Sequence, residues 1–95
     1  MKDQQALSQL LNKDFELEET LTEQELRDKL IHAFSWMLDN DISKMMQILY
    51  RADVEEERLK SLLISRSHLP SAEVIADEYL SRQRRKIETR KLYST

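Results

Sequence analysis

The chain contains no glycine, and Pro70 is its single proline. Glycine enters the left-handed region of backbone space without penalty, so its absence takes the best residue away from tight hairpin turns. Glycine-rich phosphate loops and dinucleotide fingerprints are excluded with it. Charged residues make up 35% of the chain, and β-branched residues are sparse. Such a chain is expected to be all-α: a small helical bundle of four main helices plus a short N-terminal helix, with the last helix long and partly projecting. Its 95 residues form one expected domain, 1–95, with a loosely attached segment at 1–21 and the bundle at 22–91. A chain of this size buries roughly 60% of its unfolded surface or slightly more, enough for a core without staples.

Cysteine is absent, which excludes disulfides, thiolate metal sites and cysteine nucleophiles together. The opening MKDQQALSQLLNKD has no apolar core of signal-peptide length and carries acids early. The longest unbroken apolar runs have three residues, such as Trp36 to Leu38, so no membrane span is expected. The cytoplasm is the expected location.

The stretch from Leu38 to Leu63 organises the expected bundle. With Ile42 at the origin, an advance of about 100° per residue spreads Ile42, Met45, Met46, Ile48, Leu49 and Tyr50 over an arc of roughly 200°. A surface helix carries an apolar stripe of about 100° or a little more. The wide arc places this helix in the middle of the bundle, touched on two sides. Asn40 suits a left-handed closure of the preceding helix, and Asp41 suits the cap of the next. Asp53 and Glu56 form an acidic capping-box pattern, so another helix should start near Val54. Asp39, Asn40, Asp41 and Ser43 do not make a calcium loop, because Lys44 stands where glycine is needed and Tyr50 where a bidentate glutamate is needed. Met45 and Met46 could line an adaptable groove, but beside Ile and Leu at helical spacing they read as core.

Upstream, Met1 to Asn12 reads as a short helix with Leu7, Leu10 and Leu11 on one side. Asp14 to Leu21 is an acidic connector, with Phe15, Leu17 and Leu21 as anchors to the bundle or as a dock for a basic partner, the chain's own C-terminus included. Thr22 and Glu25 form a capping box, with Leu21 and Leu26 as its hydrophobic staple. Leu26, Leu30, Ala33, Phe34, Met37 and Leu38 follow at helical spacing. Glu23–Arg27 and Glu25–Lys29 are expected pairs along the wet side. His32 and Trp36 are neighbours one turn apart and read as packing.

Downstream, a helix over about Val54 to Ser65 carries Leu59, Leu62 and Leu63. Glu55, Glu56 and Glu57 fill its first turn, where the helix dipole favours acids. Arg66 to Leu69 is a turn, and His68 has no second ligand at metal spacing. Pro70 suits a helix start and Ser71 a cap. The last helix runs to about Lys91, with Ala72, Ile75, Ala76, Tyr79, Leu80, Gln83 and Ile87 in one stripe.

Charge is uneven. Residues 1–65 carry 8 basic and 14 acidic side chains; residues 66–95 carry 7 and 4. The candidate anion or partner contacts are Arg82, Arg84, Arg85, Lys86, Arg90 and Lys91. They surround the last helix as a collar rather than a stripe, so that helix is expected to leave the bundle soon after Ile87. Three uses fit: solvation with dipole complement, contact with acidic protein surface (the chain's own, a partner's or another subunit's), or contact with nucleic acid. No aromatic residue is interleaved among them before Tyr93, so the stacking platform of single-strand binders is missing. A helix-turn-helix with RADV as the turn would aim Glu55, Glu56 and Glu57 at phosphates, and repulsion opposes it.

NDISKMMQILYRADVEEERLK (40–60) and AEVIADEYLSRQRRKIETR (72–90), with the preceding HAFSWML, resemble a family of short, uncharacterised bacterial helical proteins. Its pattern has an Asn-Asp turn, an I-L-Y-R-x-D-V block and a later I-A-D…R-Q…K…T-R block. The resemblance covers about residues 32–90 and implies a bacterial origin. It implies no activity, cofactor or site residue.

The expected function is a non-enzymatic protein–protein interaction or regulatory module, self-associating through its helices as a homodimer. No convergent catalytic or metal set is apparent, and the long last helix offers more apolar stripe than a small bundle covers. The rival is a nucleic-acid-binding protein using the basic end. No cofactor is expected, and an enzyme would have to assemble its site from scattered Glu, Tyr and His.

Overall fold

The computed structural model describes residues 22–93, with side chains to Thr89. Four helices follow in order: α1 (Glu23–Asn40), α2 (Ile42–Arg51), α3 (Glu56–Ser65) and α4 (Ser71–Tyr93). Among the described residues there is no strand, and the chain is all-α. The expected helix Met1 to Asn12, the acidic connector, the Leu21 half of the staple, and the side chains of Arg90 and Lys91 lie outside the described residues.

The Thr22 capping box forms in full. Thr22 Oγ1 accepts from the Glu25 N–H at 3.1 Å, and Glu25 Oε1 accepts from the Thr22 N–H at 3.1 Å. Leu26, Leu30, Phe34 and Met37 are buried, with Ala33 and Leu38 packed at the core edge.

The junction after α1 departs from expectation. Asn40 does not turn left-handed; it is the last helical residue, and its Nδ2 donates to the Trp36 carbonyl at 3.0 Å. Asp41 alone joins α1 to α2. Its N–H donates to the Met37 carbonyl at 2.8 Å, and its carboxylate caps α2 through the Lys44 N–H at 3.1 Å.

The end of α2 holds a second correction. Asp53 has φ 61, the one positive φ among the described residues. Its N–H donates to the Tyr50 carbonyl at 3.1 Å, and the Val54 N–H donates to the Leu49 carbonyl at 3.0 Å. These are the two bonds of a Schellman closure, a place usually given to glycine. Asp53 therefore ends α2 and does not cap α3. The next helix begins at Glu56, behind Glu55, which makes no side-chain capping bond. Likewise Ser71 is inside α4, and the Pro70 carbonyl accepts from Glu73 and Val74.

The hub of the core is the first two-thirds of α4. Ala72, Ile75, Ala76, Tyr79, Leu80, Gln83 and Ile87 are all buried, as their spacing predicts, and Val74 and Glu78 join them. α4 packs along α1 and against α3, while α2 packs on α1. Phe34 and Tyr79 meet edge to face, ring centroids 5.4 Å apart at 66°. Complete burial of each such ring contributes about 1.5–3 kcal/mol.

This arrangement overturns the central placing of α2. Met45, Ile48 and Leu49 are buried, but Ile42 is 56%, Met46 41% and Tyr50 83% exposed. A ten-residue helix tied to α1 by one residue lies on one side of that helix, so half of its wide apolar arc has no neighbour. The stripe of α4, in turn, is covered within the single chain as far as Ile87.

Candidate functional site

Two surfaces combine exposed chemistry with fixed geometry. The first is the outer side of α2. Ile42, Met46 and Tyr50 are separated by four residues, so they stack along one line of the helix. On the flank of that line a groove opens between α2 and α3. Buried Leu49 and Leu59 form its floor with half-buried Val54, and Met46 and Tyr50 form one wall. Asp53, Glu55 and Glu56 stand exposed at its rim, and half-buried Arg82 reaches it from α4. The left-handed turn at Asp53 is what brings the α3 N-terminus back beside α2.

The second surface is the basic part of α4. Here the structure divides the expected collar. Arg84 is paired with Glu23 at the start of α1. Lys86 Nζ donates to the Arg51 carbonyl at 2.8 Å and sits 3.7 Å from the Asp53 carboxylate. An ammonium at the last carbonyls of α2 complements that helix's dipole. Arg82 and Arg85 have no hydrogen-bonding or ionic side-chain partner among the described residues, and both line the broad charged groove across α1, α3 and α4. Arg90 and Lys91 lie on the helical backbone of α4.

That broad groove is crossed by ion pairs the sequence reading missed. Arg27 does not pair with Glu23 along α1. Its Nε donates to Asp77 Oδ1 at 2.8 Å, and its Nη2 donates to Glu73 Oε1 at 2.7 Å. Hydrogen bonds that Arg27 donates to Asp77, then to Glu73, hold its pKa above its ordinary range against the effect of burial. Arg58 Nε donates to Glu78 Oε1 at 2.9 Å, and Glu78 is buried. Glu73 and Asp77 are one turn apart on one face of α4; that spacing was the available signal. Acids on the first half of α4 thus meet arginines of α1 and α3, and bases on its second half meet the start of α1 and the end of α2.

The remaining candidates are set in open positions. His32 and His68 are exposed, as is Trp36. Glu55, Glu56 and Glu57 are exposed, with Lys60 at 3.7 Å from both Glu56 and Glu57. The Glu25 carboxyl is held below its ordinary range by hydrogen bonds from the Thr22 side chain and backbone, with a smaller effect of Lys29. Among the described residues no three metal-ligating side chains converge, and no helix is long and apolar enough to cross a membrane. Comparison with protein-family models, with curated proteins and with solved structures finds no match in any of the three.

Proposed function

We propose that this chain is a non-enzymatic protein-interaction module whose working face is the outer side of α2. The observation that carries the reading is the exposure of Ile42, Met46 and Tyr50 in one line, on a helix whose other apolar residues are sealed. Small monomeric proteins scatter single apolar residues over their surface; an aligned set beside an apolar groove is the signature of a docking face. Ion pairing within the broad charged groove supports binding over catalysis, because Arg27, Arg58 and Arg84 and their carboxylates hold one another.

The test is affinity capture with the intact chain and with Met46→Lys, using lysate of the source organism. Proteins retained by the first and lost by the second, with unchanged circular dichroism, support the reading. Identical capture by both overturns it.

Nucleic-acid binding is the second reading, favoured by Arg82 and Arg85, whose side chains have no partner among the described residues. With Arg84 and Lys86 already engaged, the described collar cations left for phosphate are Arg82 and Arg85, and Arg90 and Lys91 beyond them complete the set this reading uses. About four neutralised phosphates would give a log K against log salt slope near −3.6. Anisotropy with labelled duplex and single-stranded oligonucleotides measures it, and no binding at low salt removes the reading.

A further inference from the structure

The Ile42, Met46, Tyr50 line and the α2–α3 groove share Met46 and Tyr50, so they are one continuous apolar surface. Its surroundings are not neutral. Asp53, Glu55 and Glu56 are exposed along the groove, and Glu57 follows them. Asp39, in the last turn of α1, is exposed as well. The basic residues of α2 are turned away: Lys44 and Arg51 lie about 140–160° around the helix from Met46.

Four cations stand near among the described residues. Arg85 lines a small pocket beside Asp53, and the other three are Arg82, Lys60 and Lys86. Arg82 reaches the groove from α4. Lys60 lies 3.7 Å from Glu56 and Glu57, and Lys86 lies 3.7 Å from Asp53. Those lysine pairs are longer than hydrogen bonds and solvated, so they weaken the acidic field without cancelling it. Glu55 has no cationic partner among the described residues. Asp53 keeps a carboxylate at the rim in a backbone conformation that glycine would hold without strain.

We propose that this surface receives a basic amphipathic helical segment of another protein. Its apolar side chains, recurring at helical spacing, fill the groove over Leu49, Val54 and Leu59, and its flanking Lys or Arg residues meet Asp53, Glu55 and Glu56. The assignment rests on the interaction-module reading and adds the partner's charge. Complementary potential selects such a segment and disfavours a second copy on the same face, which would set this acidic rim against its own kind.

Three labelled helical peptides test it. They share one Leu/Ile face and differ only at the flanking positions, which are all Lys, all Gln or all Glu. Anisotropy with the full chain should show the Lys peptide binding at least about tenfold tighter than the Gln peptide and the Glu peptide not binding. Glu55→Gln with Glu56→Gln, two exposed positions, should erase the Lys advantage and leave the Gln peptide unchanged. Raising salt should do the same, and Met46→Lys should abolish binding of every peptide. Equal binding of Lys and Glu peptides that still depends on Met46 overturns the charge assignment while keeping the docking face. Binding by none overturns the proposal. A mass that grows with chain concentration and collapses in Met46→Lys gives the face to a second copy and overturns it too.

Discussion

Tyr50 and Tyr79 sit in helices of the same small fold and meet opposite fates: one is 83% exposed and the other fully buried. Each belongs to an apolar arc that periodicity marks as core. The difference lies in the neighbours. Tyr79 is on α4, which has α1 on one side and α3 on another, so every apolar residue of its stripe finds a surface. Tyr50 is on α2, which leans on α1 alone among its main contacts. An apolar arc states how much a helix could bury; the number of helices packed around it decides how much is buried. The remainder on α2 is what a partner can use.

Substitutions should separate the two regions sharply. Tyr79→Ala or Phe34→Ala removes half of the edge-to-face pair and leaves a cavity, at a cost of about 3–5 kcal/mol. Urea unfolding would measure it, and a loss below about 1 kcal/mol would break the contrast. Arg27→Met strips two carboxylates of their shared partner. Partial exposure discounts the loss to about 1–2 kcal/mol, and Lys at the same site should not restore it, since the two-carboxylate fork needs a guanidinium.

Gln83→Met should act in the opposite direction. Gln83 is buried with its Oε1 unpaired among the described residues, so an apolar replacement of similar shape should raise stability by about 1 kcal/mol. Asp53→Gly should also stabilise, by roughly 0.5–1 kcal/mol, because the left-handed closure then carries no side-chain penalty. If it also weakens the binding of the Lys-flanked peptide, rim charge and backbone ease are opposed at one residue. Tyr50→Ser should change stability by less than about 0.5 kcal/mol while weakening peptide binding, which sharpens the comparison with Tyr79 most directly.

The smallest effect is a pH dependence at the start of α1. The Glu25 carboxyl is depressed by its bonds with Thr22, so it binds protons less readily folded than unfolded. Its contribution is present above the ordinary carboxylate range and is lost as pH falls through the depressed value. Glu25→Gln should flatten the acid limb of thermal unfolding at its onset; an unchanged limb would remove this carboxyl from the pH response.

Much of the fold is legible in the residues. Missing glycine and dense charge point to helices, and Thr22 with Glu25 marks the start of α1. The α4 stripe reads correctly at all seven positions because its period and burial agree. The reading fails where one residue can serve two ends. Asp53 looks like a cap for α3, yet it closes α2, because a Schellman turn was needed and no glycine exists to supply it. Asn40 looks like a left-handed closure, yet it stays helical as the last residue of α1, with its side-chain amide on the Trp36 carbonyl. The candidate site is only half visible: periodicity places Met46 and Tyr50 in the core, and the basic collar leaves solvation, acidic protein surface and nucleic acid open, whereas Arg84 and Lys86 are held by Glu23, Asp53 and the Arg51 carbonyl.

Among the described residues the sequence by itself determined which segments are helical, where α1 starts and which side of α4 is apolar, and it shows how charge is divided along the chain. Those are consequences of local bonding and of a 3.6-residue period, which act within a few residues. Only the tertiary structure decided which apolar arc is sealed and which stays open, which arginine meets which carboxylate, and that the outer face of α2 lies beside an acidic rim. Those depend on side chains brought together from up to about sixty positions apart, as Arg84 and Glu23 are, and no local spacing encodes a neighbour at that range.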